Sequence, residues 1–269
     1  MTRINCGNGC NFSGATITDG VVVENGKVIK GTSWNRKDIK EQEFDERKTV
    51  LCEGVDKIIL DSNIADMNVM ISELSKDVET HFFGKVKTDG KVEFSVKKLK
   101  NEIRITVKSK GNIYDTDLNL EVSLPKKNLE VLSFISDTGD ISLEGEFNST
   151  EMELESDTGK IEVNGAMFSQ NVDVKNDTGD VTMTGKFSVE NTEIETDTGN
   201  VSLKLEAQKN ICVDISTDTG DVSVELENIG CMKIKTRTDS GSVKKSYIER
   251  GEYTAIGNIV TDTGKIRIR

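Results

Sequence analysis

The stretch "SDTGDISLEGEFNSTEMELESDTGKIEV", Ser136 to Val163, decides the fold. Asp-Thr-Gly appears near both ends of it, and apolar residues alternate with polar ones around each copy. The triplet recurs at Asp137, Asp157, Asp177, Asp197, Asp218 and Asp262, with Asp-Ser-Gly at Asp239. The glycines Gly139, Gly159, Gly179, Gly199, Gly220, Gly241 and Gly264 are spaced 20, 20, 20, 21, 21 and 23 residues apart. A near-fixed period of this length is the signature of stacked repeats. Five residues before Gly stand Phe134, Leu154, Val174, Ile194, Ile215, Thr236 and Ile259. Two residues after it stand Ile141, Ile161, Val181, Val201, Val222, Val243 and Ile266, and four after it Leu143, Val163, Met183, Leu203, Val224, Lys245 and Ile268. Period-two alternation means strand, and β-branched residues suit a pleated wall. Each repeat is therefore two short strands joined at a Thr-Gly corner, with a return carrying pairs such as Gly145 and Phe147 or Gly185 and Phe187. Twenty residues bury no core alone, but coils stacked about 4.8 Å apart do. The expected fold is all-β, a single-stranded parallel β-helix (β-solenoid) with coils of about 20 residues and an N-terminal β cap.

Asp-Thr-Gly also occurs in the catalytic loops of aspartic proteases. That chemistry needs two opposed carboxylates about 3 Å apart sharing a proton. Seven copies in one parallel column do not supply that arrangement. The corner explains the motif without catalysis. Gly tolerates the left-handed region, and Asp is expected to accept a hydrogen bond from the N–H two residues on. The small polar residue before it (Ser136, Ser156, Asn176, Thr196, Thr217, Thr238, Thr261) should face inward and satisfy a corner backbone group. Outside, the column Asp140, Lys160, Asp180, Asn200, Asp221, Ser242, Lys265 and the triplet Glu155, Lys175, Glu195 alternate in charge, as cross-strand ion pairs would. The stacked Asp137, Asp157, Asp177, Asp197, Asp218, Asp239 and Asp262 repel one another unless water, backbone N–H groups or a cation intervene. A calcium ladder is the candidate metal site, although the nine-residue Gly/Asp calcium pattern is absent.

The 269 residues carry a net charge of −12, unevenly spread. Residues 1–135 are neutral, residues 136–230 carry −17 and residues 231–269 carry +5. An acidic body argues against nucleic acid, and no window is apolar enough to insert in a membrane. The opening "MTRINCGNGCNF" has no apolar signal region. The expected location is cytoplasmic, or the cell surface if a leader precedes this sequence. Five cysteines, Cys6, Cys10, Cys52, Cys212 and Cys231, form no disulfide framework. Cys6 and Cys10 stay open between a metal pair and a disulfide, although tetrahedral zinc needs four ligands. The single His81 removes most Ser-His and Cys-His schemes and reads as structural. No catalytic or cofactor-binding residue is assigned.

Residues 1–54 read as a hairpin cap and linker. Asp19-Gly20 and Asn25-Gly26 mark turns, the only Trp, Trp34, reads as a packing anchor, and "SWNRKDIKEQEFDERK" reads as a short helix or ordered linker. Residues 55–135 read as irregular coils or an antiparallel cap, with "NIADMNV" in the place that "SDTGDIS" takes later. Residues 136–269 are the regular repeats, and 55–269 form one continuous domain. Charges at Lys244, Lys245, Arg250, Lys265, Arg267 and Arg269 protect the last strands from endless pairing.

"DLNLEVSLPKKNLEVLSFISDTGDISLEGEF", the repeated "DTGDV" units and "VDKIILDSNIADMNVMI" resemble a bacterial domain family of unknown function labelled as putative adhesins. The resemblance covers about residues 55–269. The family pattern is closer to a Ser-Gly pair where this chain has Asp-Thr-Gly. It implies a β-helical architecture and an adhesin-like role, and no binding residues. The expected function is a non-enzymatic structural or interaction module with an unknown protein or surface partner. The alternatives are a self-assembling scaffold stacked end to end, as in bactofilin-type filaments, and a cation-binding adhesive module using the Asp column.

Overall fold

The computed structural model describes residues 10–12, 15–18, 21–24, 27–31, 39–247 and 251–269. The chain divides into two compact units, residues 1–40 and 41–269. In the first, β1 (Cys10–Phe12), β2 (Ala15–Thr18), β3 (Val21–Glu24) and β4 (Lys27–Gly31) pair antiparallel in chain order. Cys6, Trp34, the side chain of Cys10 and the two turn dipeptides lie outside the described residues.

The second unit begins with β5 (Lys40–Leu51), where the sequence suggested a helix or linker. Gln42, Phe44, Lys48 and Val50 are its shielded positions. The period is two, but polar residues among the inward positions hide it. Phe44 packs on Phe82 at 5.0 Å, and Phe82 on Phe94 at 5.1 Å between ring centroids. The Lys48 Nζ lies 4.0 Å over the Phe94 ring and donates to the Phe94 carbonyl at 2.9 Å. β5 thus closes one end of the core with an aromatic cluster.

The coils follow. β6 (Lys57–Ser62) turns into β7 (Asp66–Ser72), β8 (Asp77–Thr88) into β9 (Lys91–Leu99), and β10 (Glu102–Lys110) into β11 (Ile113–Pro125). β12 (Asn128–Thr138) leads into three 18-residue strands, β13 (Ile141–Thr158), β14 (Ile161–Thr178) and β15 (Val181–Thr198). Then come β16 (Val201–Ala207), β17 (Ile211–Thr219), β18 (Val222–Glu227), β19 (Ile229–Lys245) and β20 (Tyr253–Ile268). The unit is a β-solenoid with coils of about 20 residues. Its pairing is parallel from β10 and β11 onward, while β8 and β9 run antiparallel to β11 and β10 as a cap.

Chain order and stacking order differ at both ends. β6 lies between β10 and β12, and β7 between β11 and β13, although both precede those neighbours in sequence. At the other end, β20 lies between β17 and β19 on one wall and between β18 and β19 on the other. The last coil therefore inserts beneath the one before it. Composition explains why. In β19 the core positions hold Thr236 and Lys245, whereas β20 offers Ile259, Ile266 and Ile268, each at most 1% exposed. An apolar coil belongs inside and a polar one at the open end. Lys245 reaches across that end and donates to the Ile234 carbonyl at 2.7 Å.

The core is built from columns of like residues. Leu60, Phe134 and Leu154 stand in register, as do Ile161 with Val181, Val201 and Val222. All are at most 1% exposed. The small polar residues before each corner also face inward, as their alternation requires, and Ser136, Ser156, Asn176, Thr196, Thr217 and Thr261 are buried. Thr261 donates to the Gly220 carbonyl at 3.1 Å, Thr238 to Gly264 at 3.2 Å and Asn176 to Gly159 at 3.0 Å. The hydroxyls of Ser136, Ser156, Thr196 and Thr217 have no protein partner. Thr261→Val should therefore cost about 0.5–1.5 kcal/mol, whereas Thr217→Val should be nearly neutral. Urea denaturation of the two variants side by side checks this.

Candidate functional site

The most regular surface is the corner edge, and its hydrogen bonding differs from the simple turn expected. From Gly139 to Gly220, each corner glycine N–H is taken by the next coil in the stack. Gly139 donates to Thr158 at 3.0 Å, Gly159 to Thr178 at 3.0 Å and Gly179 to Thr198 at 2.9 Å. The Asp two residues earlier therefore has no glycine N–H to accept, and the Asx-turn does not form. The acceptor is instead the side chain after the glycine. Asp66 Oδ1 accepts the Asp140 N–H at 2.9 Å, and Asp140 Oδ1 accepts the Lys160 N–H at 2.8 Å. Asp180 accepts from Asn200 at 2.8 Å, Asn200 from Asp221 at 3.0 Å and Asp221 from Lys265 at 2.8 Å. The alternating column read as ion pairs is thus a ladder of side-chain-to-backbone bonds. Lys160 is its gap, because an ammonium cannot accept. Lys160→Asn should supply the missing acceptor to the Asp180 N–H and stabilise by about 0.5–1.5 kcal/mol, read as a raised urea midpoint at unchanged slope. Lys175 likewise pairs along its own strand with Asp173 at 3.3 Å, rather than with Glu155 or Glu195.

The corner Asp residues form an exposed column. Ser136 lies opposite Ser156 and Thr138 opposite Thr158, which places Asp137 over Asp157. Asp177, Asp197 and Asp218 continue it in chain order. Asp262 then precedes Asp239, following the inserted coil. Asp239 is held by Arg237 at 2.9 and 3.1 Å. Among the described residues no three His, Cys, Asp or Glu side chains make a group that could hold a metal ion.

A second concavity, of about 190 Å³, lies against β5, β8 and β11 and is lined by Arg47, Met70, Thr80, His81 and Ser123 among others. His81 Nε2 lies 2.8 Å from Asp45 Oδ1, and Nδ1 lies 3.4 Å from Glu121 Oε2. Its ring stacks on Phe83 with centroids 4.4 Å apart. Both ring nitrogens face carboxylates, so neither is left to activate Ser123 or Thr80. The imidazole instead ties β5 and β11 to β8, as a structural residue does. Burial pushes the Cys52 thiol above its ordinary value. At Cys212 burial acts first, and Asp214 adds to it. Neither thiol is poised as a nucleophilic thiolate.

The third surface is the open end. β19 pairs only with β20 among the described strands, leaving one edge unpaired. Lys233, Lys235 and Arg237 project from it. Such charges discourage a second sheet from adding there.

These features define a parallel β-solenoid domain with one capped end, one open end and an acidic ladder edge. The family model Toastrack DUF4097 matches residues 55–260, and the chain belongs to that family. Among solved structures, a "putative adhesin" from Bacteroides fragilis is 15% identical with a TM-score of 0.56, over 85% of this chain and 98% of its own. A "putative cell adhesion protein" from Clostridium sporogenes is 16% identical with a TM-score of 0.40, over 84% and 99%. A "putative adhesin" from Parabacteroides merdae is 12% identical with a TM-score of 0.45, over 84% and 96%. At these identities the likeness is one of fold. No curated protein matches the sequence. No helix among the described residues is long and apolar enough to cross a membrane.

Proposed function

We propose that the chain is a non-enzymatic interaction module of the adhesin-like kind, presenting the outer faces of its stacked strands to a surface-borne partner. The observation that carries this is the state of His81. The only imidazole in the chain is held between two carboxylates, and the described thiols whose ionisation is shifted, Cys52 and Cys212, are shifted away from reactivity. The name of the Bacteroides fragilis neighbour, a "putative adhesin", points the same way. Purified, fluorescently labelled protein should bind saturably to at least one of a panel of mucin, collagen and fibronectin coatings and bacterial cells. It should leave the partner's mass unchanged. Failure on every surface, or a change in partner mass, would count against it.

The Asp column supports a second reading, adhesion that depends on a cation, because Asp137, Asp157, Asp177, Asp197 and Asp218 accept no backbone hydrogen bond. Equal melting temperatures in millimolar calcium and in chelator would remove that reading.

A further inference from the structure

We propose that Lys244, Arg267 and Arg269 form a binding site for a single phosphate or sulfate group at the open end of the solenoid. The inserted coil shapes the site by seating Arg267 and Arg269 against β18. Because β20 slides between β18 and β19, Arg267 stands in register between Ser223 and Lys244. Had the coils stacked in chain order, Lys244 would follow Ser223 directly and Arg267 would be outermost. Arg269 lies two residues beyond Arg267 and so on the same face. It is fixed by its N–H to the Val224 carbonyl at 2.9 Å and by its carbonyl from the Leu226 N–H at 3.0 Å. The Ser246 N–H donates to the Ile268 carbonyl at 2.8 Å, which brings Ser246 alongside. Lys244, Ser246, Arg267, Ile268 and Arg269 line an open cleft of about 300 Å³.

Three features mark the cleft as a site for an anion. First, like charges directly opposed on neighbouring strands are unfavourable, yet Lys244 and Arg267 are opposed. The same column in the coils below holds Ser142, Glu162, Thr182, Ser202 and Ser223. Second, the described residues supply no counter-charge. Some exposed lysines elsewhere are paired, as in Lys126 with Glu146 at 2.9 Å and Lys209 with Glu190 at 3.3 Å. Among the described residues Lys244, Arg267 and Arg269 form no ion pair, and Glu225, beside Arg269, forms none with it. Third, two guanidinium forks and one ammonium match the donor demand of a tetrahedral oxyanion. The −17 charge of residues 136–230 repels a long polyanion lying along the coils. The favoured ligand is one group presented end-on. Inorganic phosphate and an anionic phospholipid headgroup both offer that chemistry. The site stands independently of any adhesive role.

The test uses the full chain and two arms. One is calorimetric titration with inorganic phosphate. The other is flotation with vesicles of phosphatidylcholine containing phosphatidylglycerol, against phosphatidylcholine alone. Binding is expected in at least one arm, and the arm identifies the source of the group. Lys244→Gln with Arg267→Gln should weaken it at least about tenfold. The same variant should melt no lower than the parent, since it removes an opposed like-charge pair. Lys186→Gln with Lys204→Gln, which removes equal charge from the body, should leave binding unchanged. Absence of binding in both arms would overturn the proposal. So would an equal loss in the two double variants, which would mean general charge attraction without a site.

Discussion

Gly179→Ala is expected to destabilise the solenoid by on the order of 3 kcal/mol or more. Gly179 has φ 143°, and a Cβ there would lie 1.9 Å from the Gly159 carbonyl oxygen. That atom belongs to the backbone of the coil below, so no side-chain rotation relieves the clash. The coils must separate locally, and the Gly159 N–H bond to the Thr178 carbonyl, which spans them, lengthens. Gly54→Ala is the control. Gly54 has φ 69° with nothing within 4 Å of an added Cβ. It should lose only the conformational part, about 1–2 kcal/mol. Denaturant midpoints for the two variants separate backbone preference from coil contact. Equal losses would mean that the corner glycines serve the turn and not the stacking.

Phe134→Ala should cost about 3–5 kcal/mol. Phe134 is fully buried and stands between Leu60 and Leu154 in one column. Its neighbour Leu60 belongs to the out-of-order coil, so the cavity opens where a segment from earlier in the chain is packed in. The strands on either side are tied into parallel ladders and cannot close in to fill it. Leu74→Ala, at a side chain 96% exposed, should change stability by no more than about 0.5 kcal/mol. Calorimetric unfolding of both variants measures the difference.

The regular part of this fold is legible in the sequence because each coil repeats the same local rule. Val174, Val181 and Met183 face inward by alternation alone, and Gly179 turns the corner whatever lies above it. What is not legible depends on contacts between coils. The Asx role assigned to Asp137 requires a free Gly139 N–H, and stacking hands that N–H to Thr158. The acceptors that matter, Asp140, Asp180, Asn200 and Asp221, look like an ion-pair column until the backbone of the next coil is placed beside them. The inserted last coil did leave a trace. Thr236 and Lys245 break the apolar columns in the copy around Gly241, while the copy around Gly264 keeps them. Polar core positions in the penultimate copy mark that copy as the outermost. The oxyanion cleft was hidden for the same reason, because Arg269 is fixed against Val224 and Leu226 only after the insertion. β5 was missed because Gln42 and Lys48 take inward positions beside Phe44 and Val50.

The stacking order of the last coils is tested most directly by disulfide formation between paired cysteines. In a background with all five native cysteines replaced by serine, three pairs are compared. Ser216 opposes Val260, and Val260 opposes Arg237. Parallel neighbours about 4.8 Å apart lie within disulfide reach, and next-nearest strands at about 10 Å do not. Oxidation should cross-link Ser216→Cys with Val260→Cys, and Val260→Cys with Arg237→Cys, but leave Ser216→Cys with Arg237→Cys reduced. A cross-link between positions 216 and 237, with none between 216 and 260, would show coils stacked in chain order and contradict the inserted coil and the cleft built on it.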